Sequence, residues 1–140
     1  MEIALKLDPD KSDIDAVLNE LVAHNDAASG RKSGYQAIAL LVRDDDGNPA
    51  GGLTGRVIFD WLFIELLAVP TAQRGSGLGT ELMRRAEAFA REQGLAGVWL
   101  DTFSFQARPF YEKLGYEVFG TLEGHPRGGA RYFLAKHFSA

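Results

Sequence analysis

Between Val69 and Thr80 an apolar run passes through a glycine-dense turn, Arg74-Gly75-Ser76-Gly77-Leu78-Gly79-Thr80, into an amphipathic segment. Leu62 to Val69 reads as a strand, as does Gln36 to Val42, a buried one by its apolar run, and Pro70 ends the former. Leu78, Leu82, Ala86, Phe89 and Ala90 then recur at helical spacing. Glu81, Arg84, Arg85, Arg91 and Glu92 fall on the opposite side, and Gly94 is placed to stop the helix. The chain must therefore make a strand, a tight turn and a helix in that order. A helix N-terminus offers unpaired N–H groups and the positive end of a dipole. Glycines let the main chain approach a bulky anion with no side chain between them. One glycine would reflect turn geometry alone. Three at alternate positions, preceded by Arg74, favour a cradle for a phosphate or diphosphate. A Walker A loop would end in Gly-Lys-Ser/Thr, whereas Gly79 runs straight into Thr80. The dinucleotide fingerprint needs G-x-G-x-x-G, and here the spacing is G-x-G-x-G.

The remaining elements follow from periodicity and breakers. Ile3, Leu5 and Leu7 alternate and predict a short first strand, broken by Asp8-Pro9-Asp10. Ser12 or Asp13 is expected to cap a helix running to about His24, with Ile14, Val17, Leu18, Leu21 and Val22 on one face. Residues 25–34 read as a loop. Gln36 to Val42, Gly51 to Phe59 and Leu62 to Val69 form three strands joined by short turns, one at Asp44 to Pro49 and one at Asp60-Trp61, so they run antiparallel. After the central helix come a strand at Val98 to Thr102, a helix at about Ala107 to Leu114 closed by Gly115, and a hairpin of Tyr116 to Leu122 with Ala130 to His137. The order is β-α-β-β-β-α-β-α-β-β. No repeat or linker interrupts it, and a single domain over residues 1–140 is expected.

Composition narrows the chemistry. The chain has no cysteine, which excludes disulfides, thiolate metal sites and a cysteine nucleophile. Its three histidines, His24, His125 and His137, are far apart, so no metal site is expected. With 15 basic against 19 acidic residues the net charge is −4, the wrong sign for a non-specific nucleic-acid binder. No apolar run approaches the roughly 18 residues of a membrane helix, and no signal-peptide core follows Met1. A cytoplasmic protein that binds neither membrane nor nucleic acid is the expectation.

Arg74-Gly75-Ser76-Gly77-Leu78-Gly79 resembles the R/Q-x-x-G-x-G/A signature of the GNAT superfamily, the acetyl-coenzyme A-dependent N-acetyltransferases. A second segment, Ala107-Arg108-Pro109-Phe110-Tyr111-Glu112-Lys113-Leu114-Gly115-Tyr116, is similar to that family's A-x-x-x-Y-x-K-x-G-F/Y pattern. The likeness runs from about Gln36 to Phe138. It implies an α+β (mixed α/β) three-layer fold with a twisted mixed sheet of about seven strands, two splayed parallel strands and helices on both faces. The splayed pair would be Leu62 to Val69 and Val98 to Thr102.

The resemblance also implies site roles. The backbone of Leu67, Ala68 and Val69 would bond the pantetheine arm of acetyl-CoA. The amides of Arg74, Gly75, Ser76, Gly77, Leu78, Gly79 and Thr80 would hold its pyrophosphate. A backbone N–H at the splay would polarise the acetyl carbonyl. Transfer to an amine would be direct, with no acyl-enzyme. Tyr111 is the candidate proton donor to the leaving thiolate, or else a core aromatic beside Phe110, Leu114 and Tyr116. Glu65, a carboxylate within an apolar strand, is the candidate base, or else an outward edge residue. Ser104 stands where many family members carry a cofactor-contacting asparagine, and its shorter side chain would need a water to reach. Arg108 either reaches a cofactor phosphate or is a solvated helix residue.

Acceptor specificity is expected from residues 25–34, the Trp61 turn and the Gly124 to Gly129 loop. Tyr35, Trp61, Phe103 and Phe105 are candidates for the acceptor pocket or for the core. The acceptor would be a small-molecule or peptide amine, and an acidic protein weakly favours a cationic one. A homodimer is expected because family members often pair. The competing function is a non-catalytic sensor module that binds acyl-CoA without turnover.

Overall fold

A computed structural model describes residues 1–139. The chain divides into two compact units, Met1–Tyr35 and Gln36–Ala140. Among the described residues no helix is long and apolar enough to cross a membrane.

The first unit holds helix α1, Lys11–Ser29. Its cap is Asp10, two residues before the expected Ser12. The Asp10 carboxylate accepts the Asp13 amide at 3.0 Å, and the Asp13 carboxylate accepts the Asp10 amide at 3.1 Å. This reciprocal box satisfies two otherwise unpaired donors. The helix runs past His24 because Asn25 to Ser29 contains neither proline nor glycine. Gly30, left-handed at φ 72°, ends it. The first strand expected at Ile3 to Leu7 does not form. Alternation supplies a pattern but no partner for a strand's N–H and C=O groups.

The second unit is a sheet of six strands rather than about seven, with strand order β1-β2-β3-β4-β6-β5. The strands are β1 Gln36–Arg43, β2 Pro49–Ile58, β3 Trp61–Ala68, β4 Gly97–Phe103, β5 Glu117–Glu123 and β6 Ala130–His137. The first three form the antiparallel meander that their short turns predict. In the first turn, Asp44 accepts the amides of Asp46 and Asn48, each at 2.9 Å. β3 and β4 are parallel, linked through helix α2, Leu78–Glu92. Helix α3, Arg108–Lys113, then leads to the antiparallel pairs β4–β6 and β5–β6.

Leu82, Met83, Ala86 and Ala90 of α2 pack into one buried cluster with Leu53, Leu62, Ile64, Val98, Leu100 and Leu134 of the sheet. Tyr111 and Tyr116 join the same cluster. A polar clasp ties its parts together. Glu87 of α2 accepts the Tyr116 hydroxyl at 2.9 Å and the Lys136 ammonium at 2.7 Å, and Lys136 also donates to the Leu114 carbonyl at 2.9 Å. The end of α3 is thereby fixed to both α2 and β6.

Two features open the sheet. β3 and β4 pair only from Trp61↔Gly97 to Ile64↔Leu100, although both strands continue. On the other edge of β3, Gly55 pairs with Ile64 and Thr54 with Leu66, leaving Glu65 without a partner. This is a β-bulge, which bends its strand and increases its twist. The bend falls where the parallel pairing stops, so the strands splay beyond Ile64 and Leu100. The bulge also resets the alternation: Leu62 and Ile64 are buried, whereas Leu66 is 63% exposed.

Candidate active site

The splay leaves a cavity of about 670 Å³ between the arms of β3 and β4. A second cavity, of about 410 Å³, lies at the glycine turn. Leu67, Ala107 and Tyr111 line both, so the two form one trough.

At the turn, a single 3-10 turn, Thr71–Gln73, precedes α2. The Arg74 amide donates to the Thr71 carbonyl and the Ser76 amide to the Gln73 carbonyl, each at 3.3 Å. The amides of Gly75, Gly77, Leu78, Gly79 and Thr80 find no acceptor among the described residues. Gly77 is the N-cap of α2, with φ 86° and no side-chain cap. A Cβ built on Gly75 or Gly77 would meet no atom within 4 Å, so these amides stand beside open space. Five main-chain donors at the positive end of a helix fit a diphosphate. The Arg74 side chain lines the same cavity. Ser76 does not line it, because its hydroxyl turns back to the Gln73 carbonyl.

The strand segment divides between the cavities, with Leu67 and Ala68 on the first and Leu67 and Val69 on the second. Past Ile64, the β3 edge facing the gap has no pairing strand, so its main chain is open to an extended ligand. Ser104 lies outside both cavities. Its hydroxyl accepts the Ala130 amide at 3.1 Å, and its own amide donates to the Ala130 carbonyl at 2.8 Å. Arg108 is also elsewhere, paired with Glu112 at 3.2 Å and stacked over Tyr132.

Tyr111 projects from α3 into the junction and is only 7% exposed. Edge contacts with Phe110 and Tyr116 hold its ring. Burial, and secondarily the negative charge of Asp101, push its phenol up to about 12. The group therefore keeps its proton at neutral pH. Glu65 lines the first cavity at the bulge, with Arg56 3.6 Å away.

Residues 11–116 match the profile of the Acetyltransferase (GNAT) family. The chain belongs to that family. A curated acetyltransferase of Agrobacterium fabrum is 36% identical over 123 residues, which cover 88% of this chain and 89% of the relative. The blasticidin-S acetyltransferase of Streptomyces morookaense is 43% identical over 102 residues, covering 72% of this chain and 75% of the relative. A crystal structure from Agrobacterium tumefaciens, named for an acetyltransferase, superimposes with a TM-score of 0.87 at 34% identity. It covers 99% of this chain and 100% of its own.

In this GNAT acetyltransferase four charged or amide side chains that motif reading did not single out line the first cavity. They are Arg56, Asp101, Gln106 and Arg131. Gln106 folds its carbonyl back onto the Phe103 amide at 2.7 Å and so closes the strand-to-helix corner beside Tyr111. Asp101 and Arg131 lie on neighbouring strands, and only their alternation with buried residues places them on the cavity side. Of the four aromatic candidates for the acceptor pocket, Phe103 lines the cavity. Phe105 stacks on Phe103, and Trp61 packs against His137.

Proposed function

We propose that the protein transfers the acetyl group of acetyl-CoA to the primary amine of a small molecule. The observation that carries this reading is the continuity of the trough. A main-chain anion cradle, an unpaired strand edge and a protonated phenol follow one another along one cleft, as a long thioester carrier requires. The name of the blasticidin-S acetyltransferase, a relative with 43% identity, supports a small-molecule acceptor.

In this reading the amides of Gly75, Gly77, Leu78, Gly79 and Thr80, with Arg74, bind the diphosphate. Leu67, Ala68 and Val69 present the open edge of β3 to the pantetheine arm. Glu65, directly or through a water, takes a proton from the acceptor ammonium, since only the neutral amine attacks. The nitrogen adds to the thioester carbonyl while a backbone N–H at the splay bonds its oxygen. The C–N bond forms and the C–S bond breaks. Tyr111 gives its proton to the departing sulfur, the acylated nitrogen loses its remaining extra proton to solvent, and solvent also returns a proton to Tyr111 and removes the one held by Glu65.

The test is thiol release from acetyl-CoA across a panel of small amines, amino acids and N-terminal peptides. Turnover with a small amine is the expected result. Binding of acetyl-CoA with no thiol release from any amine would replace the enzyme reading with the sensor module.

A further inference from the structure

On the cavity side of the sheet, four charges stand in a row across four strands. Their order is Arg56 on β2, Glu65 on β3, Asp101 on β4 and Arg131 on β6, and all four line the first cavity. The carboxylates flank the gap, the guanidiniums lie outside them, and the formal charges cancel. A cleft built for a polycation would not carry two arginines at its rim.

The two pairs differ. Arg131 grips Asp101 with a fork: Nε reaches Oδ1 at 2.8 Å and Nη2 reaches Oδ2 at 2.8 Å. The Asp101 side chain is only 14% exposed. Arg56 merely stands beside Glu65 at 3.6 Å, and the Glu65 side chain is 48% exposed. Glu65 is thus free to meet an ammonium, whereas Asp101 is occupied in orienting Arg131. The Arg131 guanidinium lies 5.5 Å from the Phe103 ring and 5.3 Å from the Phe133 ring. Its Nη1 group has no acceptor among the described residues. A pinned guanidinium with free N–H groups facing a cavity is a receptor for a carboxylate.

We propose that the acceptor carries a carboxylate as well as its reacting amine, and that Arg131 is the residue that selects for it. The inference rests on the transfer reading above. The acceptor ammonium lies at Glu65 on one wall of the gap, and its carboxylate bonds Arg131 on the other. Asp101 acts through Arg131 and is a positioning residue.

The test uses amines that differ only at the far end: ω-amino acids of two to six carbons, their amides and the corresponding diamines. Thiol release from acetyl-CoA is the readout. The acid of best length is expected to exceed its amide by about tenfold in kcat/KM, the scale of one charge-assisted hydrogen bond. Arg131→Gln should bring acid and amide together by lowering the acid alone. Asp101→Asn, which keeps Arg131 but loosens the fork that orients it, should narrow the preference without abolishing it. Amide or diamine used as well as the acid, or a preference that survives Arg131→Gln, overturns this proposal and leaves transfer standing. No thiol release with any of these amines, nor with the wider panel above, overturns both readings.

Discussion

At the glycine turn the trough is walled by main chain: five amides without acceptors and two glycines beside open space. At the gap between β3 and β4 it is walled by side chains, with Arg56, Glu65, Asp101 and Arg131 drawn from four strands. The first wall is local. It needs one turn, one helix start and residues without a Cβ, and it suits a ligand that is the same in every turnover. The second wall is assembled from positions up to 75 residues apart in the chain (Arg56 to Arg131), and each can change without disturbing the turn. In the proposed reading, local main-chain recognition serves a shared donor, and dispersed side-chain recognition serves a particular acceptor.

Tyr111 stands where the walls meet, so its loss should affect chemistry rather than either ligand. Tyr111→Phe is expected to lower kcat by about 10²–10⁴-fold, the usual worth of a placed acid, with little change in either KM. The pH profile supplies a check. Because burial pushes the phenol up to about 12, its ionisation should leave no limb in wild-type activity below pH 10. The same shift carries a stability sign. Below the unfolded value near 10 both states hold the proton, and Tyr111 contributes nothing. As pH rises from about 10 toward 12, the unfolded chain ionises first and the folded state loses ground. Urea melts should therefore show Tyr111→Phe gaining stability relative to wild type between pH 9 and pH 11. Unchanged kcat would place Tyr111 in the core alone.

A smaller and one-sided effect is expected at the turn. Gly77→Val puts a β-branched residue at φ 86° and points a side chain into the open space beside the amides. Calorimetry should show acetyl-CoA binding weakened by about tenfold or more, since the strain of order 1–3 kcal/mol is borne beside the ligand. The KM of the amine should not move. Equal losses at both ends would break the division between the walls.

The smallest effect on activity is expected from the clasp behind the trough. Glu87→Gln weakens the bonds to Tyr116 and Lys136 and should cost about 1–3 kcal/mol of stability in denaturant melts. Folded enzyme should keep both KM values. A changed amine KM would show that the clasp also sets the acceptor wall.

The turn, α2, the antiparallel meander, the parallel partner strand and Tyr111 were legible because each rests on contiguous residues with a period, a breaker or a motif. The expected strand at Ile3 to Leu7 failed on the same ground that made it readable: alternation is local, but a strand needs a neighbour. The cap of α1 was misplaced because Ser12 and Asp13 are as good as Asp10 in isolation. Only the reciprocal bond between Asp10 and Asp13 decides.

The amino-acid order alone determined where main-chain donors would be left open, since glycine spacing and a helix start act within a few residues. It also determined the order of strands and helices from α1 onward. Tertiary structure decided the rest. An unpaired Glu65 ends the parallel contact and opens the gap, and strand neighbours bring Arg131 onto Asp101 across 30 positions of sequence. A bulge and a cross-strand pair are properties of two strands at once, and the period of one strand carries neither.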